Sequence, residues 1–329
     1  MKICPTCEQS FDDDTKFCPD DGTPLKAQQE SQDPMMGRRL MDRWEVLDRI
    51  GAGGFGTVYK VRDLRFDYLE ALKVFDRRRL NPEEVDEAVA RFRREAMLLK
   101  RLGNLSQNIV GVSNMEDDEE GGFIYFTMEY VDGENLSQIL VRDGPFAPDR
   151  AIAITKQICK ALSVAHNYEE GIVHRDMKLE NVMITRDKND QEVVKILDFG
   201  IAKAIGQQSL TNLSMGGPGT PGYAAPEQVE GGEIDPRTDL FALGVVIYGM
   251  LTGREPWLGG FITEPSSGGW TLLKQTVDGD PIPAHRWDPE VPKALEDICF
   301  KLLEKNKEDR FQSAEDVLEA LVAFEEGKA

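Results

Sequence analysis

The sequence predicts an α+β fold in which a strand-rich region is followed by a helix-rich one. Between residues 44 and 131, short apolar strands separated by turns are interrupted by one amphipathic helix. Between residues 132 and 325, apolar residues recur at helical spacing, and the run from Leu240 to Leu251 fits a buried helix. A cysteine-bearing segment, residues 1–25, and a polar stretch, residues 26–43, precede both regions.

Composition excludes several classes of function. The 329 residues are 40% hydrophobic and 30% charged, which is typical of a soluble globular protein, and carry a formal net charge of −20. Such a charge argues against a nucleic-acid or anionic-membrane partner. No stretch approaches the roughly 20 apolar residues that span a bilayer, and no targeting signal begins the chain. Three of the five cysteines precede residue 20, unlike a secreted disulfide framework, so we expect a cytoplasmic location.

The first 25 residues have the cysteine spacing of a small metal-binding module. Cys4 and Cys7 form a C-x-x-C pair, and Cys18 is followed at the same offset by Asp21. Three thiolates and one carboxylate can complete a tetrahedral Zn²⁺ site, and so short a segment buries too little core to fold without one. We expect a zinc-ribbon-like module followed by a linker, residues 26–43. A redox pair and a metal-free tail are the alternatives.

A glycine-rich segment follows the first strand of the strand-rich region. Residues 50–58 read I-G-A-G-G-F-G-T-V, and their glycines let a backbone approach phosphates without a Cβ in the way. The spacing alone also fits a dinucleotide-binding fold, in which the motif opens a helix. Here residues 58–61 continue as a strand, so we expect the motif to lie in a hairpin.

The next strand, residues 71–74, contains one cation among apolar residues. A buried, unpaired Lys73 would be costly, so a partner is expected. The following helix offers Glu95 on an apolar stripe formed by Phe92, Ala96 and Leu99. Pairing of Glu95 with Arg91 or Lys100 at the surface is the alternative, and the apolar neighbours favour the pair with Lys73.

Two later motifs carry groups suited to phosphoryl transfer. Residues 174–181 read H-R-D-M-K-L-E-N, and D-F-G begins at Asp198 after an apolar strand. Asp176 can accept a hydroxyl proton, and Lys178 can neutralise a moving phosphate. Asn181 and Asp198 offer the oxygen ligands that Mg²⁺ prefers.

In the order and spacing of these motifs the chain resembles the eukaryotic-like (Hanks-type) serine/threonine protein kinases, and its G-Y-A-A-P-E-Q and L-T-G-R-E-P-W runs most resemble the bacterial branch. The resemblance covers about residues 44–324. It implies a two-lobed protein kinase fold, with an N-lobe at residues 44–131 and a C-lobe at residues 132–325. It also implies transfer of the γ-phosphate of ATP to protein serine and threonine hydroxyls in signal transduction, with Mg²⁺, or Mn²⁺ in its place. The implied catalytic residues are Lys73, Glu95, Asp176, Lys178, Asn181 and Asp198.

The resemblance further implies a nucleotide-binding set. The glycine-rich loop would cover the phosphates together with Lys73, and the backbone of Glu129 and Val131 would contact the adenine edge beside the gatekeeper Met128. Four apolar side chains would enclose the base. The implied set is Ile50, Gly51, Ala52, Gly53, Gly54, Phe55, Gly56, Thr57, Val58, Ala71, Lys73, Met128, Glu129, Val131, Met183 and Leu197.

Regulatory residues are implied in the same way. Arg175 precedes the catalytic aspartate, where the family pairs an arginine with a phosphate on the activation segment. Autophosphorylation there is the expected activating event, and Thr220 would bond to Asp176 and Lys178. The candidate regulatory positions are Ser209, Thr211, Ser214 and Thr220. Two structural pairings are also implied, of Asp239 with the catalytic-loop backbone and of Arg310 with Glu227.

Two other functions stay open at this point. A pseudokinase or scaffold typically lacks one of Lys73, Asp176 and Asp198, and all three are present. In the other alternative, the N-terminal module is the partner-binding unit and the kinase is its output. The implied partners are ATP and protein substrates and not nucleic acid. A homodimer is left open, and membrane association would require a chain that continues beyond Ala329.

Overall fold

The computed structural model describes residues 35–53, 56–118, 121–169, 171–199, 221–264 and 269–327, with a few short pieces before residue 35. Several predicted site residues lie outside the described residues, and nothing further is said of their structure: Cys4, Cys7, Cys18, Asp21, Gly54, Phe55, Ser209, Thr211, Ser214 and Thr220. Among the residues described, no helix is both long and apolar enough to cross a membrane.

Short strands in the N-terminal segment pair with one another. Strands β1 (Lys2–Ile3), β2 (Ser10–Phe11) and β3 (Lys26–Ala27) form an antiparallel sheet in the order β2-β1-β3. In sequence, Cys4 and Cys7 fall between β1 and β2, and Cys18 and Asp21 fall between β2 and β3.

The N-lobe is an antiparallel sheet with one helix on its inner face. Its strands run in the order β4-β5-β6-β7-β9-β8. Their bounds are β4 Arg39–Leu40, β5 Trp44–Gly53, β6 Gly56–Asp63, β7 Tyr68–Asp76, β8 Val112–Asp118 and β9 Phe123–Glu129. The glycine-rich segment lies at the β5–β6 hairpin, where Gly53 is paired with Gly56. The predicted hairpin is therefore confirmed.

Asp33 and residues 35–40, which belong to the predicted linker, pack on the outer face of this sheet. Met35 is buried against Trp44 and Tyr59. The Tyr59 hydroxyl donates to Asp33 Oδ2 at 2.9 Å, and Gly37 N donates to Val46 O at 3.0 Å. Met35 and the half-buried Leu40 give no periodic signal in the sequence, yet they are enough here because the sheet supplies the rest of the apolar contact.

Helix α1 (Pro82–Leu105) covers the inner face. Proline in its first turn favours helix initiation, because the N–H that proline lacks would have no intrahelical partner there. The acidic residues beside it interact favourably with the helix dipole. Phe92 of α1 packs against Phe75 and Phe126, with ring centroids 5.8 and 4.9 Å apart. This contact directs the face that carries Glu95 toward β7.

Helices dominate the C-lobe. They are α2 Leu136–Asp143, α3 Pro148–His166, α4 Pro226–Glu230, α5 Pro236–Thr252, α6 Gly269–Asp278, α7 Lys293–Leu302 and α8 Ala314–Glu325. Helix α5 is buried from Thr238 to Thr252, as its apolar run predicts. Gly244 permits its close packing on α7, since a Cβ there would lie 2.8 Å from Leu302 Cβ.

A small antiparallel sheet in the C-lobe positions the H-R-D and D-F-G motifs. Strands β10 (Glu134–Asn135), β11 (Val182–Arg186) and β12 (Glu192–Ile196) are arranged in the order β10-β11-β12. The H-R-D segment precedes β11, and D-F-G follows β12. Because β11 and β12 are antiparallel, with Val182 opposite Ile196, the two motifs are brought to the same end of the hairpin.

Candidate active site

Lys73 lies between two carboxylates. Its Nζ is 2.6 Å from Glu95 Oε1 and 2.9 Å from Asp198 Oδ1. Burial by itself would lower the pKa of Lys73, but Asp198 and Glu95 outweigh it and hold that pKa above its ordinary value. The predicted pairing with Glu95 forms, and the ammonium is charged in the folded protein.

Asp198 faces both this pair and solvent. Its side chain is 41% exposed. Partial burial of the Asp198 carboxyl would by itself raise its pKa, but the charge and hydrogen bond of Lys73 lower that pKa below the ordinary value. The carboxyl is therefore ionised at neutral pH. Asp198 also adopts a positive φ of 43°, which is unusual for a residue with a Cβ and fixes the direction of the carboxylate.

The loop at residues 174–181, called the catalytic loop after the predicted role, brings three predicted residues together. Asn181 Nδ2 donates to the backbone oxygen of Asp176 at 2.7 Å and to its Oδ2 at 3.2 Å. Lys178 Nζ lies 3.7 Å from Asp176 Oδ2. Since the amide nitrogen of Asn181 is bound to Asp176, its Oδ1 is directed away from Asp176 and can coordinate a metal ion.

Asp239, at the start of α5, holds the backbone of this loop. Its buried carboxylate accepts His174 N at 2.7 Å, Arg175 N at 2.8 Å and His166 Nε2 at 2.8 Å. Arg175 has a φ of +64°, which disfavours a residue with a Cβ. The hydrogen bonds that Asp239 accepts offset this cost and fix the backbone of Arg175, the residue directly before Asp176.

An apolar cluster formed by residues of both lobes, called the cleft below, lies beside these charged groups. Ala71 of β7 is opposite Met128 of β9, and Val58 is opposite Lys73. Met183 and Leu197, from the C-lobe, are half-buried and pack against the same apolar core as Val58. The five side chains predicted to surround the base and its gatekeeper position therefore belong to one cluster: Val58, Ala71, Met128, Met183 and Leu197.

The other described residues of the predicted nucleotide-binding set lie in the β5–β6 hairpin and in the connection to the C-lobe. Ile50 is 46% exposed, and Gly51 and Ala52 pair with Val58 and Thr57 across the hairpin. Gly56 has a φ of +133°, and a Cβ there would lie 2.5 Å from Val74 O, so only glycine fits. Val131 is buried.

Comparison with known proteins decides the family. The sequence profile of the protein kinase domain matches residues 44–321. The chain belongs to the protein kinase family. Its antiparallel sheet and helical lobe are the two lobes of that fold. The crystal structure of the Mycobacterium tuberculosis PknI kinase domain is similar, with a TM-score of 0.61 and 24% identity, and covers 89% of this chain and 98% of that one.

Several bacterial relatives of this kinase domain are similar in sequence. Serine/threonine-protein kinase pkn3 of Myxococcus xanthus is 36% identical over 292 residues, covering 86% of this chain and 50% of the relative. PknB of Mycolicibacterium smegmatis is 36% identical over 89% of this chain and 44% of its own length, and PrkC of Bacillus subtilis is 33% identical over 86% and 40%. The chain therefore spans about half the length of these curated relatives or less.

The second predicted pairing lies in the C-lobe of the kinase domain. Arg310 is fully buried and donates to both carboxylate oxygens of Glu227, at 2.9 and 2.8 Å. Thr238 Oγ1 also donates to Glu227, at 2.8 Å. Burial would raise the pKa of Glu227, but Arg310 lowers it below the ordinary value. The pair ties α4, which contains the proline and glutamate of the A-P-E motif, to the loop before α8.

The donor set of the kinase domain fits Mg²⁺. Asn181 offers an amide oxygen and Asp198 an exposed, ionised carboxylate, and Mg²⁺ is usually held by one or two such groups together with substrate phosphates. Within the described ranges, no group of three or more His, Cys, Asp or Glu side chains could hold a metal ion alone.

Two histidines of the kinase domain have roles that the sequence reasoning missed. His174 Nε2 donates to Leu197 O at 3.0 Å, so its Nδ1 accepts Asp176 N at 3.3 Å and the ring is the neutral Nε2–H tautomer. Its ring also contacts Phe199, with centroids 4.6 Å apart. His174 thereby joins the catalytic loop to D-F-G, while His166 supports Asp239. A signal was present, since two of the chain's three histidines lie at or shortly before the start of the H-R-D segment.

Another contact missed from the sequence connects the cleft's edge to the C-lobe. Lys195 Nζ donates to Glu129 Oε2 at 2.6 Å. Glu129 N in turn donates to Gly111 O at 3.0 Å. Glu129, the residue after Met128, is thus fixed through both its side chain and its backbone.

Proposed function

We propose that this chain transfers the γ-phosphate of ATP to serine and threonine hydroxyls of proteins. The observation that carries the proposal is the convergence of Lys73, Glu95 and Asp198 with Asp176 and Asn181 at one end of the cleft. Relatives that are named serine/threonine-protein kinases support the choice of acceptor. The activity would serve signal transduction in the cytoplasm.

Each residue has a definable part in this reaction. The apolar cleft binds the adenine, and Lys73, oriented by Glu95, contacts the phosphates. Asp176 accepts the proton of the substrate hydroxyl as its oxygen attacks the γ-phosphorus, while the bond to the β-phosphate oxygen breaks and ADP leaves. Lys178 neutralises charge on the transferred group. Mg²⁺, held by Asn181 and Asp198, would neutralise the phosphate oxygens when bound.

The pseudokinase alternative is disfavoured by the same geometry. A protein that only binds nucleotide has no need of a base held near the phosphate site. Here Asn181 fixes the Asp176 carboxylate and Asp239 fixes the two residues before it. This support would be wasted in a pure scaffold.

Regulation by autophosphorylation belongs to the proposal. Arg175 directly precedes Asp176, and a guanidinium can bind a phosphate through two hydrogen bonds. A phosphate on Ser209, Thr211 or Ser214 would pair with Arg175 and order the segment that contacts the protein substrate. Thr220 would keep a structural role beside Asp176 and Lys178.

Incubation with γ-labelled ATP, Mg²⁺ and casein or myelin basic protein tests both parts. We expect phosphoserine and phosphothreonine on the substrate and, by mass spectrometry, phosphate on the chain between residues 202 and 219. Lys73→Met should reduce transfer on the order of 100-fold or more, because the phosphates lose their positioning cation. Arg175→Ala should erase any activity gained by preincubation with ATP.

Two outcomes would contradict these proposals separately. A wild-type chain that binds Mg-ATP in a thermal-shift titration but labels no substrate would be a scaffold. Full activity with an unmodified segment would reject the phosphate switch and leave the transferase proposal intact.

We also propose that residues 1–25 bind one Zn²⁺ through Cys4, Cys7, Cys18 and Asp21. Both ligand pairs fall in sequence between strands of one small antiparallel sheet, in which β1 pairs with β2 and with β3. The full-length chain should contain close to one zinc per molecule by plasma mass spectrometry. Cys4→Ser should remove most of it and Asp21→Ala only part, because three thiolates remain. A wild-type chain purified at neutral pH without zinc would refute this proposal.

A further inference from the structure

A charged cluster outside the cleft connects the strand that carries Lys73 to the helix that carries Glu95. Asp117 of β8 accepts a hydrogen bond from Arg77 Nη2 on Oδ1 and one from Arg93 Nη2 on Oδ2, the second at 2.6 Å. Arg77 directly follows β7, four residues after Lys73. Arg93 lies on α1, two residues before Glu95. One carboxylate thus contacts both elements that supply the Lys73–Glu95 pair.

The cluster is partly shielded from solvent. The side chains of Asp117 and Arg77 are 24% and 19% exposed, while that of Arg93 is 48% exposed. Burial would raise the pKa of Asp117, but the two guanidinium groups lower it below the ordinary value. Without this carboxylate, Arg77 and Arg93 would face each other as like charges.

The apolar contact of α1 with the sheet does not specify the position of the helix by itself. Phe92 packs between Phe75 and Phe126, and the free energy gained by burying apolar surface is non-directional. Directional hydrogen bonds are needed to fix the helix at one position. Glu95 supplies one such bond on the cleft side, and Arg93 supplies another through Asp117.

We infer that Asp117 is a positioning residue for phosphoryl transfer: by binding Arg77 and Arg93, it fixes α1 where Glu95 meets Lys73. This inference rests on the proposed function. It concerns how often the Lys73–Glu95 pair is formed. A chain in which the pair is formed only part of the time binds ATP more weakly in proportion to that fraction.

Asp117→Asn is the direct test, because asparagine keeps the shape and removes the charge. We expect kcat/KM for ATP to fall on the order of 10-fold, mainly through a higher KM, since saturating ATP restores the formed pair. The melting temperature should change little, because partly exposed ion pairs contribute little to stability. Asp117→Glu should recover part of the loss.

Asp118→Asn is the matched control. Asp118 is the next residue on the same strand, and its carboxylate accepts Gly121 N within its own turn at 2.8 Å. It should keep the wild-type KM for ATP. Arg93→Gln should reproduce the defect of Asp117→Asn, and the double variant should be no worse than either single one, because both remove the same contact.

The outcomes separate this inference from the proposed function. An active wild type with Asp117→Asn and Arg93→Gln within twofold of Asp118→Asn would overturn the inference. A wild type that transfers no phosphate would overturn the proposed function instead. ATP affinity measured by calorimetry would then decide the inference, since Lys73 positioning should still make Asp117→Asn bind ATP more weakly and Asp118→Asn should not.

Discussion

Asp176→Asn is expected to lower turnover by about two to four orders of magnitude while ATP affinity changes little. The substitution preserves the size of the side chain and removes its basicity. It leaves Lys73, Asp198 and the apolar cleft untouched, so the nucleotide site should keep its geometry. Steady-state kinetics with saturating protein substrate and calorimetric ATP titration check the two halves of this expectation.

Asp190→Asn provides a control of the same chemistry away from the cleft. Asp190 is 82% exposed in the turn between β11 and β12 and has a φ of +63°, a conformation that asparagine tolerates well. Its turnover should equal that of the wild type. Turnover of Asp176→Asn close to that of Asp190→Asn would refute the role of Asp176 as the base.

Arg310→Met should give the largest loss of stability, about 3–5 kcal/mol in the free energy of unfolding. The substitution leaves the Glu227 carboxylate buried without its bidentate partner. It also removes the hydrogen bonds from Arg310 to three backbone carbonyls, those of Glu304, Lys305 and Arg237. Chemical denaturation at neutral pH measures the difference directly.

The pH dependence of this loss follows from the direction of the Glu227 pKa. Because Arg310 depresses that pKa in the folded protein, the pair's contribution is present above the unfolded carboxyl pKa. It is lost as pH falls through the folded value. The stability gap between wild type and Arg310→Met should therefore narrow on acidification.

Two further variants test whether burial is the cause. Arg142→Met removes an arginine that is 54% exposed from its pairs with Glu134 and Asp143, and such surface pairs contribute little to stability. Glu227→Gln combined with Arg310→Met should recover part of the stability, because no buried charge is left alone. A loss in Arg310→Met no greater than in Arg142→Met would contradict the account.

Much of the fold and site was accessible from the sequence because each motif carries its own physical demand. An ammonium within an apolar strand requires a carboxylate, and Glu95 was the one that lay on an apolar helical stripe. Position 56 requires a residue without a Cβ. The strand that follows the glycine-rich segment excluded the alternative in which this segment opens a helix. The pairings of Asp239 and Arg310 came through the family resemblance, and the structure shows the contacts expected of them.

The contacts that were missed depend on strand register and on side chains far apart in sequence. Asp117 lies 40 residues from Arg77 and 24 from Arg93, and no local pattern relates them. The tautomer of His174 depends on a carbonyl 23 residues away. Met35 and Asp33 were overlooked because the apolar surface they cover belongs to other strands.

The attachment of Asp33 to the N-lobe limits how far strand β3 can lie from that lobe. Strand β3 ends at Ala27, and Asp33 is already bonded to Tyr59. Six residues of fully extended chain span at most about 20 Å. The end of β3 is therefore held within about that distance of Asp33, and a force that drew β3 away from the N-lobe would be carried through Asp33 to its hydrogen bond with Tyr59.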